Sequence, residues 1–355
     1  MCILSALGLF TIALSTQDHI SLKLGGIVLA SLSSGLGEMS LLGLTHFYGP
    51  SALTAWGSGT GAAGVVGAGL YLLMTSVMQL SIRSSLLISS TLPFVMPLAF
   101  ILVLPQHLLN DSIRTGYAPI SQAGDGDDDD NGLRSSDDTL NASPIANHNT
   151  NSYRNIVSTS GHNLEPSEFF AKIQRLRSLF IPYMLPLFIV YTAEYTINQG
   201  ITPTLLFPLR STPFSNYRSF YPTYAFLYQI GVFISRSSLP FFTLKSLYLP
   251  SLLQVLNLLI LTLHALYFFL PSIHLIFVII LWEGLLGGAV YVNTFAAIMR
   301  NKHGEEREWS LGATTASDSA GIMIAGLIGI LIEPYLCEWN VHHGRPWCRN
   351  VGGSS

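Results

Sequence analysis

Apolar runs of about twenty residues recur along this chain, and that recurrence decides its fold class. A helix needs about 20 apolar residues to cross the hydrocarbon of a bilayer, and a spanning segment must satisfy its own backbone polar groups. Runs that meet or approach this length are read at 2–16, 22–46, 57–80, 85–105, 178–199, 219–235, 246–270, 272–298 and 311–333, which gives nine spans. The first is short and the sixth carries Pro222, so eight or ten also fit. Only 10% of the residues are charged, against about one-quarter in an average soluble domain. Nothing basic precedes the run at 2–16, so it reads as a span rather than a cleaved signal. Trp56, Tyr183, Tyr221, Trp309 and Tyr335 stand near run ends, as an interfacial aromatic belt requires. The expectation is an all-α polytopic membrane protein in contact with the lipid bilayer.

One segment breaks the pattern. Residues 106–177 are polar and hold Asp125, Asp127 to Asp130, Asp137 and Asp138 among many Asn and Ser. Such a stretch buries too little apolar surface to offset its ordering entropy and is expected to be disordered. It divides the chain into an N-terminal helical bundle of four spans at 1–105, the Asp-rich loop at 106–177, a C-terminal bundle of five spans at 178–335, and a tail at 336–355. Lys172, Arg175, Arg177, Arg236, Lys245, Arg300, Lys302 and Arg307 flank spans on the loop's side. Lys23, Arg83, Arg210, Arg218, Arg345 and Arg349 lie opposite. The bias places the loop in the cytosol and the tail in the lumen.

Ionisable side chains inside apolar runs are the candidates for function. They are costly in hydrocarbon and usually face a protein interior or a water-filled path. Glu38 sits well inside its run, after Gly35 and Gly37, whose small size admits a neighbouring backbone. It either cycles a proton or serves structure as a buried acid. Glu194 and Asn198 are four residues apart and share a helix face, with Gln199 beside them. That polar face is either a solute or proton site or an interhelical hydrogen bond that locks packing. Glu283 follows Trp282 and shares a face with Asn293. It is either a pathway residue or an interfacial partner of the helix dipole, and Asn293 either contacts solute or makes a packing hydrogen bond. Asp318 lies beside Ser317, Gly321, Ala325 and Gly329, a small-residue stripe that permits close helix contact. It is open to an ion pair with Arg236, a proton relay, or a structural role at the seam. Arg236 either grips a phosphate through its guanidinium fork or sets topology from a span end.

These residues fall within recognisable runs. Ser33-Ser34-Gly35-Leu36-Gly37-Glu38, Trp56-Gly57-Ser58-Gly59-Thr60-Gly61 and Glu194-Tyr195-Thr196-Ile197-Asn198-Gln199-Gly200 are three of them. Ser235-Arg236-Ser237-Ser238, Glu283 to Gly288 followed by Tyr291-Val292-Asn293-Thr294-Phe295, and Ser317-Asp318 complete the set. In order and spacing they resemble the battenin family, whose human member is lost in juvenile neuronal ceroid lipofuscinosis. The resemblance covers about residues 20–105 and 178–335, and the tail and Asp-rich loop look most like the fungal, vacuolar branch. It implies a major-facilitator-like fold of two bundles in a vacuolar or lysosomal membrane. It also implies roles in vacuolar pH homeostasis and in transport of small polar solutes, either basic amino acids or glycerophosphodiesters. Family members usually have eleven spans, so this chain is expected to lack the first two.

Two functional readings follow. In the first, the chain is a vacuolar transporter or transport-linked protein. Glu38, Glu194, Glu283 and Asp318 are then the proton-coupling candidates, and Asn198, Gln199, Arg236 and Asn293 the solute-binding ones. In the second it is a non-transporting scaffold that regulates vacuolar pH or trafficking through protein partners, with the loop as docking arm. No nucleophile–base constellation points to an enzyme. Gly57-Ser58-Gly59-Thr60-Gly61 lacks the Gly-Lys-Ser/Thr ending of a phosphate loop and reads as helix packing by Gly57, Gly61, Gly64 and Gly67. His46, His264 and His274 pair with no acids at metal-ligand spacing, and Asp127 to Asp130 lack the frame of a calcium loop. No cofactor, metal or nucleic-acid partner is therefore expected. Cys337 and Cys348 are eleven residues apart. They either form a disulfide in a luminal tail or remain two free thiols.

Overall fold

The computed structural model describes residues 1–15, 20–48, 50–102 and 175–351. The Asp cluster and nearly all of the loop expected to be disordered lie outside them. Among the described residues every regular element is helical. In chain order these are α1 (Cys2–Leu14), α2 (Ile20–Tyr48), α3 (Pro50–Leu72), α4 (Ile82–Ser89), α5 (Val95–Leu102), α6 (Leu185–Thr196), α7 (Phe220–Ser237), α8 (Tyr248–Tyr267), α9 (Ile273–Asn301) and α10 (Gly304–His342).

Seven helical stretches are long and apolar enough to cross a membrane: Ile20–Leu42, Ser51–Val77, Ile82–Leu102, Arg175–Thr204, Tyr248–Tyr267, Ile273–Asn301 and Glu306–His342. The chain is an all-α polytopic membrane protein. Two of the nine expected spans fall short of that measure. The run at 2–16 forms only the 13-residue α1, about 20 Å long against a hydrocarbon core of about 30 Å. It packs against α2 instead, where Gly8 and Gly26 let the backbones meet. A methyl group on Gly8 would stand 2.7 Å from the Gly26 carbonyl oxygen. The run at 219–235 forms the 18-residue α7, whose tyrosines, Thr223, Gln229, Ser235 and Arg236 dilute its apolar character. The last span also differs. It continues through Pro334 to His342, nine residues past the expected end. The helix persists because its last turns pack: Leu336 is buried, and the Trp339 indole donates to the Leu266 carbonyl at 3.0 Å.

The residues up to Leu102 and from Arg177 onward belong to one packed unit. At its centre runs α9. Within its most apolar stretch 56% of residues are buried by protein, against 11% in the α2 and α3 spans, whose remaining apolar surface is left for lipid. The crossing of α7 and α9 is made of glycine. A methyl group on Gly231 would collide with the Leu281 carbonyl, and one on Gly284 with the Tyr228 carbonyl. Apolar helices gain no hydrophobic advantage from meeting in lipid, so such close backbone approach carries the association. On the other flank of α7 lies α3. Gly57 faces Val292 and the backbone of Arg236, Gly61 faces Phe233, and Gly64 faces Gln229, while Gly67 meets nothing within 4 Å. Along the Asp318 stripe, Gly321 abuts Phe188 and Tyr191, Ala325 is fully buried, and Gly329 approaches Gln199.

Two of the helical spans carry wide turns. α3 ends in a π-helical turn at Leu73–Val77, and α6 lies between such turns at Phe180–Met184 and Ile197–Ile201. The second follows from the sequence: Pro203 supplies no amide hydrogen to the helix end, and the Thr202 hydroxyl donates back to the Ile197 carbonyl at 2.9 Å. Past this turn Leu205, Leu206 and Phe207 fold inward and join a core of Phe220, Tyr224 and Leu261.

Candidate functional site

A cavity of about 490 Å³ opens where the first-half helices meet α6, α7 and α10. Glu38 comes from α2, Trp56 and Thr60 from α3, Tyr191 and Tyr195 from α6, Arg236 from α7, and Asp318 from α10. Each arrives for a local reason. The α3 glycines draw Thr60 up to α7. Tyr191 and Tyr195 are one turn apart and stack at 5.7 Å between ring centroids. Gly321 lets α10 close on Tyr191, which brings Asp318 alongside.

Arg236 organises this wall. Its Nη1 donates to Thr60 Oγ1 at 2.9 Å and its Nη2 to the Tyr191 phenol at 3.1 Å. The guanidinium lies over the Tyr291 ring, 3.9 Å from the centroid, within cation–π range. Its buried Nε has no partner. Tyr291 in turn accepts from the Trp56 indole at 3.3 Å and donates to Glu38 Oε1 at 2.5 Å. Asp318 is buried, and its Oδ1 accepts the Ser319 amide at 2.7 Å. Asp318 and Arg236 both border the cavity but make no ion pair with each other. As part of the cavity wall, Arg236 is no longer a flanking cation, and the basic-residue bias narrows to seven against six.

A second polar group lies apart from the cavity lining, between α6, α7 and α9. The Tyr228 phenol donates to Glu194 Oε1. Asn198 Nδ2 donates to Glu283 Oε1 at 3.1 Å and to the Glu194 carbonyl at 3.1 Å. Glu194 is 2% exposed and Glu283 is fully enclosed. Glu283 is thus neither interfacial nor a lining residue of the cavity, because Gly284 and Gly287 draw α7 and α6 over it.

The candidates therefore fall into three sets. Glu38, Arg236 and Asp318 share the cavity; Glu194, Asn198 and Glu283 share the buried group; Gln199 and Asn293 belong to neither. Gln199 is exposed on the far side of α6 against Gly326 and Gly329. Asn293 holds a loop, accepting the Leu244 amide at 2.8 Å and donating to the Ala289 carbonyl at 2.9 Å. The expected backbone approach at Gly35 and Gly37 does not occur. Gly35 faces open space, and Gly37 meets the Met1 sulfur at 3.3 Å on the cavity wall. Trp56, expected from sequence in the aromatic belt, instead lines the cavity, and Tyr191 and Tyr195 were not among the expected site residues, although Tyr191, Glu194, Tyr195 and Asn198 fall at helical spacing. His264 is packed among Phe207, Phe268 and Phe269. Beside it the chain end folds back. Cys337 and Cys348 are disulfide-bonded with Cα atoms 5.9 Å apart, and Trp347 rests on Phe268.

Comparison with known proteins places these features in one lineage. The family model described as CLN3 protein matches residues 1–339. "Protein btn-1" of Neurospora crassa is 51% identical over 98% of this chain and 76% of its own length. "Protein BTN1" of Chaetomium globosum is 51% identical over 99% of this chain and 77% of its own length. "Protein BTN1" of Yarrowia lipolytica is 43% identical over 97% and 80%. No solved structure matches the chain. With the family model running through both halves, and with the cavity and the buried acids inside the matched region, this chain belongs to the CLN3, or battenin, family.

Proposed function

We propose that this chain moves a small polar solute across the vacuolar membrane, drawing on a proton gradient and contributing thereby to vacuolar pH homeostasis. The observation that carries the reading is the cavity: acids, a cation and three aromatic side chains meet there from helices of both halves of the sequence. Polar and ionisable residues inside membrane spans are costly and mark solute and ion paths, and sites of secondary transporters lie between helical repeats. Arg236 is fixed by donors to Thr60 and Tyr191 and borders the cavity, so it is held to attract an anionic group. Glu38 and Asp318 supply the opposite charge for a cationic part of the cargo. Basic amino acids and glycerophosphodiesters, the classes the family resemblance implies, both fit that division of charge. The sequence offers no nucleotide-binding loop to energise transport, so alternating access driven by a gradient is the mechanism proposed.

Isolated vacuoles from a strain lacking this protein, with and without the restored chain, test the reading. Time-resolved release of labelled lysine and of labelled glycerophosphocholine should be faster for one of them when the chain is present. Equal release of both would remove the transport reading and favour a scaffold acting through partners.

A further inference from the structure

Helices α6 and α9 meet as a two-rung ladder. Glu194 on α6 and Asn198 in the π-helical turn that follows it are four residues apart; on α9, Glu283 and Gly287 are one turn apart. The Glu194 carboxyl lies against Gly287, where a methyl group would collide with it. The Asn198 amide bonds Glu283. Each carboxyl therefore has one oxygen satisfied by a neutral donor, Tyr228 for Glu194 and Asn198 for Glu283. The other two, Glu194 Oε2 and Glu283 Oε2, are both buried and both without a partner. Neither residue lines the cavity.

That arrangement requires a cationic species. A buried carboxylate without a cation bears a desolvation cost of several kcal/mol, and leaving an acceptor oxygen unmade adds to it. The charged and titratable groups around the pair are Tyr191 and Tyr195 on α6, Tyr228 and Arg236 on α7, Tyr291 on α9, Asp318 on α10 and Glu38 on α2. Helix α8, which packs on α6 and α9, carries the buried and uncharged Gln254 and Asn257. The sole cation among them, Arg236, is engaged with Thr60, Tyr191 and the Tyr291 ring. Both side chains are enclosed by protein, at 2% and 0% exposure, so the species that fits is a proton.

We propose that Glu194 and Glu283 form a buried proton-binding pair, separate from the solute cavity, that takes up and releases one exchangeable proton. Uptake moves a proton from hydronium in the cavity onto a carboxylate oxygen and leaves water; release is the reverse. Tyr191 and Tyr195 line the cavity and flank Glu194 on α6, so the pair stands one helix wall from that water. As a proton site the pair stands by itself; as the coupling site it rests on the transport reading above.

Infrared difference spectroscopy of the purified full chain in lipid nanodiscs, titrated from acidic to neutral pH, tests it. A carboxylic-acid carbonyl band should titrate in the wild type. That titrating component should be lost in both Glu194→Gln and Glu283→Gln, and kept in Glu38→Gln. Tyr228→Phe keeps both acids and serves if a glutamine variant fails to fold; its midpoint should move. Identical titration in the wild type and both glutamine variants, or an unmoved midpoint in Tyr228→Phe, overturns the pair. A band that follows sodium concentration instead of pH also overturns it, in favour of an alkali-cation site. Solute flux in the same nanodisc-derived preparations, transferred to liposomes, keeps the two ideas apart. A titrating band without any flux removes the transport reading and leaves the proton site. Flux in Glu194→Gln that still responds to a pH gradient removes the coupling role.

Discussion

The Tyr291 phenol donates to Glu38 at 2.5 Å and thereby ties α9 to α2 across 253 residues of sequence. The same oxygen accepts the Trp56 indole, and the same ring carries the Arg236 guanidinium. One side chain thus holds an acid, a cation and an indole in register around the cavity.

Tyr291→Phe keeps the ring under Arg236 but removes the donor to Glu38 and the acceptor for Trp56. Each net hydrogen bond is worth about 0.5–1.5 kcal/mol, so the variant should remain folded with a modest loss of thermal stability. Tyr291→Ala also removes a ring buried to 1% exposure and should cost about 3–5 kcal/mol. Thermal unfolding of the two variants in one detergent checks the order. Equal losses would show that the phenol, not the ring, holds the site.

Gly284→Ala should be among the most damaging small substitutions, because the new methyl group meets the Tyr228 carbonyl at the α7–α9 crossing. Overpacking of this kind costs about 1–3 kcal/mol or more. Gly35→Ala, which meets nothing within 4 Å, should be tolerated or slightly stabilising. Protein yield and melting temperature after purification separate them, and equal behaviour would contradict the crossing.

Much of this was legible in the sequence for a physical reason. Charge inside an apolar run is rare, so Glu38, Glu194, Glu283, Asp318 and Arg236 stood out, and each is found inside the packed unit. Small-residue spacing announced that α3 and α10 pack closely on neighbours, at Gly57, Gly61 and Gly64 and at Gly321 and Gly329, though not at Gly67. Partners were not legible. The i, i+4 relation put Glu194 and Asn198 on one face, but only the packing of α9 and α7 against that face gives Asn198 to Glu283 and Tyr228 to Glu194. Asn293 and Gln199 looked like their neighbours in sequence but lie outside both polar groups, because Asn293 is used to hold a loop and Gln199 packs against Gly326 and Gly329. Tyrosines are common at span ends, so composition could not mark Tyr191 and Tyr195 as cavity residues. The last apolar run was expected to end at 333, but tertiary packing carries the helix through Pro334 to His342.

Arg236→Lys preserves charge but loses the planar fork that spans Thr60 and Tyr191. A charge-assisted hydrogen bond is worth about 1.5–3 kcal/mol, so solute flux should fall about tenfold or more. Initial rates in proteoliposomes measure this. Full activity in the lysine variant would show that a point charge suffices and that the fork is dispensable.

Protein taken from intact vacuoles should carry Cys337 and Cys348 as a disulfide, with the tail in the lumen. Mapping by mass spectrometry without reductant checks the bond. Cys337→Ser should lower thermal stability by up to about 3 kcal/mol in the chain-entropy account. Alkylation of both cysteines as free thiols would contradict the bond and weaken the luminal placement. Protease added to sealed vacuoles should cut within 106–177 and spare the tail.

The central claim is that the cavity around Arg236 is a solute path. Its most direct test is uptake of labelled lysine and glycerophosphocholine into liposomes holding the purified chain, with and without an imposed pH gradient. The account predicts uptake of at least one, accelerated by the gradient and abolished in Arg236→Ala folded to wild-type stability. Wild-type liposomes no more permeable than empty ones, or undiminished uptake in Arg236→Ala, would contradict it.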